Sequence, residues 1–227
     1  MELILDTANV VAIKHACEWY NITGVTTNPT ILSRENEEPL QVLRRIREVI
    51  GDRQLHVEVT TNTWEEMVRE AEAAVDVIDR DIYLKIPSTR EGFRAIKELR
   101  QRNFNVTATV VYSPEQAILD AMAGADYIAI YYNKQYNYNV DAARTTREIH
   151  EIFTKNRVKT KILTASFRNP RQVVESIMNG ADAVTISESV LKLLECNPLV
   201  DASVKSFSDD WEKSNAGKPL YELFRND

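Results

Sequence analysis

Lys85 stands inside an apolar, β-rich run, Ile82-Tyr83-Leu84-Lys85-Ile86. Burial among apolar neighbours disfavours an ammonium and lowers its pKa. A lysine neutralised in this way is a nucleophile for carbonyl carbon and forms a Schiff base. Such chemistry also needs acids and bases to move protons, and two other β-rich runs bring carboxylates, Asp6 and Glu58. The competing reading of these residues is structural: an ion pair between Lys85 and Asp6 or Glu58 that plugs a polar mouth. Residue type and spacing leave both open. No metal site is expected, because His15, His56 and His150 lack ligand spacing. Cys17 and Cys196 form no CxxC and read as packing residues.

The chain that must position these groups has 227 residues, 44% of them hydrophobic, with 28 basic and 34 acidic side chains and a net charge of −6. That length predicts one domain, and the composition excludes a disordered or fibrous chain. The basic run Arg44-Arg45-Ile46-Arg47 is neutralised by Glu35, Glu37, Glu38 and Glu48, so no nucleic-acid partner is expected. The tyrosines at 131, 132, 136 and 138 then read as packing rather than base stacking, Tyr131 apart. Met1-Glu2-Leu3-Ile4-Leu5-Asp6 reads as a strand, not a signal peptide. No apolar stretch approaches the ~20 residues of a membrane span. A soluble, cytoplasmic protein without a membrane partner is the expectation.

Short β-rich runs at 3–6, 22–27, 55–59, 82–86, 105–111, 127–132, 161–166 and 183–187 alternate with stretches of helical spacing, such as Val42, Ile46, Val49 and Ile50. Capping boxes are predicted at Thr63-Trp64-Glu65-Glu66 and Ser88-Thr89-Arg90-Glu91. Ser113-Pro114 and Asn169-Pro170 add a proline at the first helical position. An internal echo strengthens the count: Pro114, Gln116, Met122, Gly124, Ala125, Asp126 and Ile130 recur 56 positions later, as Pro170, Gln172, Met178, Gly180, Ala181, Asp182 and Ile186. Eight strand–helix units predict a single (β/α)8 barrel of the α/β class. An open doubly wound sheet is the alternative, but Asp6-Thr7-Ala8-Asn9 after the first strand is no Gly-rich phosphate loop.

Side chains alternate faces along a strand. If the more apolar face meets the helices, the inward face ends on Asp6, Glu58, Lys85, Thr109, Tyr131 and Ser166. All six stand at the carboxyl ends of strands, where barrel enzymes build their sites. In this reading Thr164 points inward, and Leu163, Ala165 and Val110 point outward.

Further motifs fall at the same strand ends. They are Leu5-Asp6-Thr7-Ala8, Gly24-Val25-Thr26-Thr27-Asn28-Pro29-Thr30, Lys85-Ile86-Pro87, Thr109 with Tyr112, and Ala165-Ser166-Phe167-Arg168. In this order the chain resembles the transaldolase family, most closely its small branch that includes fructose-6-phosphate aldolases. The resemblance implies a class I aldolase barrel in which Lys85 forms the Schiff base without a cofactor. It implies that Asp6 orients substrate hydroxyls and assists bond cleavage, and that Thr109 holds a water. It further implies that Thr27 and Asn28 bind the dihydroxyacetone moiety, and that Ser166, Arg168 and Lys134 grip a sugar phosphate. Many relatives carry arginine at the Lys134 position, and lysine keeps the charge without the bidentate fork.

Two positions disagree about the subfamily. Transaldolases carry glutamate and phenylalanine where this chain has Glu58 and Tyr131; the aldolase branch tends to carry glutamine and tyrosine. Tyr131 can deliver a proton to the enamine, which favours aldolase, with transaldolase as the alternative. Ala129, where transaldolases often have serine, points the same way. A non-catalytic barrel that binds sugar phosphates is the second alternative. The resemblance also implies ring-like homo-oligomers, a pentamer or decamer. Segment 199–227, with an amphipathic helix at 201–213, would then reach a neighbouring subunit.

Overall fold

The computed structural model describes residues 1–224, and in it the eight β-rich runs close into a parallel barrel in chain order. The strands are β1 (Glu2–Asp6), β2 (Gly24–Thr26), β3 (Gln54–Glu58), β4 (Tyr83–Pro87), β5 (Asn105–Val111), β6 (Tyr127–Tyr131), β7 (Lys161–Ala165) and β8 (Ala183–Ile186). Pairing of β1 with β8 closes the ring. Between them run α1 (Val10–Trp19), α2 (Pro29–Leu32), α3 (Pro39–Ile50), α4 (Trp64–Val77), α5 (Arg90–Gln101) and α6 (Pro114–Ala123). Then come α7 (Tyr132–Asn137), α8 (Ala142–Asn156), α9 (Pro170–Met178) and α10 (Glu188–Glu195). No helix among the described residues is long and apolar enough to cross a membrane.

The chain divides into two compact units, Met1–Leu191 and a second beginning at Lys192. The second holds α11 (Pro198–Asn215) and α12 (Leu220–Leu223), with Trp211 Nε1 donating to the Lys218 carbonyl at 2.7 Å. The last three residues of the expected 199–227 tail lie outside the described residues.

Helix starts follow the punctuation in the sequence. Thr63 accepts the Glu66 amide and bonds the Glu66 carboxylate. Ser113 and Asn169 cap α6 and α9, with proline following each. One box is shifted by a residue: Thr89, not Ser88, caps α5 by accepting from Gly92. Ser88 instead donates to the buried Asp120 carboxylate at 2.8 Å.

Most strand parity follows the apolar-out pattern, since Leu5, Val25, Val57, Leu84, Ala108 and Ile130 join the buried layer with the helices. Two expectations are corrected. On β7, Leu163 packs inside the barrel with Ile4, Tyr127, Ala129 and Ala183, Ala165 on the same face lines the cavity, and Thr164 points out to Ser176 at 3.0 Å. The barrel interior needs apolar volume, and an outward threonine is stable once a helix hydroxyl meets it. On β5, a register shift between Ala108 and Val111 and a left-handed Val110 (φ 63°) turn that side chain into the cavity. Below the site, Tyr127 donates to Glu2 at 2.7 Å, and Lys161 pairs with the same carboxylate. His56 bridges Thr107 and Gln54, and burial pushes its pKa down to about 3. The barrel floor is therefore filled and neutral at its centre.

The internal echo is structural as well. Gly124 and Gly180 end α6 and α9 with φ of 100° and 99°. Asp126 and Asp182 each accept the amide of the strand one unit back, Val106 and Ile162, both at 2.8 Å. The two glycines differ in room: an added Cβ would lie 3.4 Å from Arg100 Cγ at Gly124 but 2.2 Å from His150 Cγ at Gly180. Gly124→Ala should cost about 1–2 kcal/mol for the left-handed backbone, and Gly180→Ala clearly more, because His150 must also move. Urea denaturation midpoints of the two variants check the order; equal losses would contradict it.

Candidate active site

The strand register sets Glu58 beside Lys85 on neighbouring strands. Their charged groups meet at 2.9 Å, and Lys85 Nζ also donates to the Thr27 carbonyl at 2.7 Å. Lys85 is 4% exposed. Burial works against its ammonium, but the carboxylates of Glu58 and Asp6 outweigh burial and hold its pKa above the ordinary lysine value. This corrects the expectation of a lowered pKa. The resting amine is charged, and it becomes a nucleophile only when its proton passes to a neighbour. Asp6 has the opposite bias. Burial raises its pKa, against the pull of Lys85 and a 2.7 Å hydrogen bond from Thr26. Thr26 also bonds Thr185 at 2.7 Å, which ties β1, β2 and β8 together under the carboxylate.

Around this trio lies a cavity of about 470 Å³, a size suited to a small metabolite. Its wall includes Asn28, whose side-chain oxygen accepts the Ile31 amide at 2.9 Å and starts α2. That bond leaves the amide donors of Asn28 for a ligand. Tyr131 also lines the cavity, and the Thr109 hydroxyl donates to its phenol oxygen at 3.3 Å. Burial raises the Tyr131 pKa, so the phenol keeps its proton. Beyond Tyr131 stand Lys134, Ser166 and Arg168. Lys134 Nζ lies 4.6 Å from the Tyr131 ring centre, a cation–π contact. Ser166 comes inward because its backbone is left-handed (φ 66°), which breaks the alternation of β7.

Nine of the ten predicted site residues thus gather at one end of the barrel, with Thr109 behind Tyr131. Thr27 is the exception. Its hydroxyl donates to the His56 carbonyl at 3.1 Å, and Thr26 faces the cavity in its place. With two threonines in succession, strand parity decides which one turns inward. Sequence reasoning also passed over Arg34, an exposed cation on the cavity rim whose charge favours the ionised form of Asp6. The signal available was a lone arginine six positions past Asn28 in the same strand–helix connection. In the closed order β2, which precedes Arg34, lies opposite β6, which precedes Lys134, and both residues line the cavity. Among the described residues no group of three or more His, Cys, Asp or Glu is arranged to hold a metal ion.

Comparison with known proteins gives a consistent likeness. A family model described as transaldolase/fructose-6-phosphate aldolase matches residues 3–218. A probable fructose-6-phosphate aldolase of Streptococcus pneumoniae is 37% identical over 213 residues, covering 93% of this chain and 96% of that one. A probable transaldolase of Thermodesulfovibrio yellowstonii is also 37% identical over 213 residues, with 94% and 99% covered. A probable transaldolase of Thermoplasma acidophilum is 39% identical over 215 residues, with 94% and 96% covered.

The Lys85–Glu58 pair makes a direct prediction. Removing the carboxylate charge in Glu58→Gln should lower the Lys85 pKa by about one unit or more, since a close opposite charge shifts a pKa by roughly 1–3 units. Cyanate reacts only with the neutral amine. The pH midpoint of Lys85 carbamylation, read by peptide mass, should therefore move down in the variant. An unchanged midpoint would show that Glu58 does not hold the ammonium.

Proposed function

The chain belongs to the transaldolase/fructose-6-phosphate aldolase family, and we propose that it is a Schiff-base aldolase that splits fructose 6-phosphate into glyceraldehyde 3-phosphate and dihydroxyacetone. Lys85 gives up its proton to Glu58 and attacks the ketose carbonyl. The carbinolamine loses water and leaves an imine. Asp6 takes the proton of the hydroxyl on the aldehyde-forming carbon, and the adjacent carbon–carbon bond breaks. Glyceraldehyde 3-phosphate leaves, its phosphate having been held by Lys134, Ser166 and Arg168. The electron pair of the broken bond remains as an enamine on the dihydroxyacetone fragment. A proton relayed through Tyr131 and a water held with Thr109 converts the enamine back to an imine, and hydrolysis frees dihydroxyacetone and Lys85. No cofactor takes part, and the reaction belongs in the cytoplasm, a setting that suits two free cysteines.

One observation carries the choice of lyase: a protonated tyrosine, Tyr131, lines the cavity beside Thr109. The transferase reading, in which the enamine attacks a second aldehyde, is favoured by Glu58 and by relatives named probable transaldolase. We also propose that the protein works as a homo-oligomer, a pentamer or decamer, and that the segment from 199 onward meets a neighbouring copy. The exposed Leu199, Val204 and Phe207 on α11 support this.

The test is product analysis. Wild type given fructose 6-phosphate should release free dihydroxyacetone, and added erythrose 4-phosphate should divert only part of it to sedoheptulose 7-phosphate. Tyr131→Phe should suppress release more than transfer. Efficient transfer with almost no release in the wild type would make the protein a transaldolase. Arg168→Ala should weaken fructose 6-phosphate by about 1.5–3 kcal/mol, the scale of one hydrogen bond to a charged group, read as a higher KM. An unchanged KM would remove Arg168 from the phosphate site.

A further inference from the structure

The echo between 114–130 and 170–186 extends backwards into the site. Val110 and Ser166, again 56 positions apart, are both left-handed non-glycine residues at the ends of β5 and β7. Such conformations are costly for these residue types and persist where their surroundings hold them. In both units a glutamine on the following helix bonds the amide two residues past the left-handed one. Gln116 Oε1 accepts the Tyr112 amide at 2.9 Å, and Gln172 Oε1 accepts the Arg168 amide at 2.9 Å.

The other end of each glutamine reaches back one strand. Gln116 Nε2 donates to the Ser88 carbonyl at 3.1 Å and the Val110 carbonyl at 3.3 Å, bonding the end of β4 to the turn of β5. Gln172 Nε2 donates to Asn133 Oδ1 at 2.9 Å, bonding the residue beside Lys134 to the loop that carries Arg168. Each glutamine therefore spans a backbone amide of its own unit and a group of the unit before it.

We propose that Gln116 and Gln172 are paired positioning residues with separate targets. Gln172 sets the spacing of the two phosphate cations, Arg168 and Lys134. Gln116 sets Thr109 and Tyr112 against the end of the Lys85 strand. Neither touches the substrate. The proposal rests on the reading of Lys134 and Arg168 as an anion site, and it adds a division of labour that the internal repeat duplicates.

The experiment compares Gln172→Met, Asn133→Ala, Gln116→Met and Arg168→Ala. It reads the dissociation constant for inorganic phosphate by calorimetry, together with kcat and KM for fructose 6-phosphate. Gln172→Met should weaken phosphate and raise KM about tenfold, with kcat altered far less. Gln116→Met should show the reverse split, a kcat lower by about tenfold with phosphate affinity near that of the wild type. Asn133→Ala should change the same parameters as Gln172→Met, and the double variant should be no worse than Gln172→Met alone, because the bond that Asn133→Ala removes is already absent in Gln172→Met. If Gln172→Met fails to fold, Asn133→Ala reads the same bond. Identical kinetic profiles for Gln172→Met and Gln116→Met, or additive losses in the double variant, would overturn the proposal. Weaker phosphate in Arg168→Ala but not in Gln172→Met would overturn it while leaving the anion site intact. Unchanged phosphate affinity in Arg168→Ala would overturn the anion site itself and the proposal with it.

Discussion

The amine of Lys85 and the carboxylate of Glu58 meet inside the mouth of a closed barrel, and the rest of the site is arranged around the cost of burying them. Removing one partner of a buried ion pair strands the other charge, a loss of about 3–5 kcal/mol. The structure avoids that cost with redundancy: the Thr27 carbonyl accepts from the same ammonium, and Asp6 adds its field from β1. The same arrangement opposes reactivity, since it favours the protonated amine. Both demands are met if the proton has a short path to a carboxylate, and Glu58 at 2.9 Å provides one. Burial without a partner would have produced a neutral amine at rest, but at the expense of an unpaired group when charged.

From this pair outward the cavity divides into two regions of different character. The Asp6, Glu58 and Lys85 end is enclosed: Lys85 bonds Glu58 and the Thr27 carbonyl, and Asp6 bonds the Thr26 hydroxyl. The Lys134, Ser166 and Arg168 end is more open, with cations on helix and loop positions. Charge separated in this way orients a polar ligand with one anionic terminus before any bond changes. Two left-handed turns shape the boundary, at Val110 and at Ser166. Each interrupts strand alternation where a side chain must enter the cavity out of turn.

Much of the fold was legible because the constraints that set it are local and periodic. Strand–helix alternation, proline after a capping residue and glycine at helix ends gave eight units, and barrel closure followed from their number. Lys85, Asp6 and Glu58 were legible for a similar reason: a charged residue in an apolar strand has few places to go. What escaped depends on contacts between distant segments. Thr164 was assigned inward because nothing local announces the Ser176 hydroxyl that receives it. Thr26 and Thr27 are chemically alike, and only strand registration separates them. The rise in Lys85 pKa comes from Glu58 on another strand, whereas the expected fall came from burial alone. Arg34 sits in an irregular connection, where spacing carries no directional information.

The central claim is that Lys85 forms the covalent bond to the ketose. Borohydride added to the protein with dihydroxyacetone reduces an imine to a stable secondary amine, and peptide mass spectrometry locates it. A single adduct on the peptide containing Lys85, with activity lost in proportion, is the predicted result. Full activity with no adduct, or an adduct on another lysine, would contradict it.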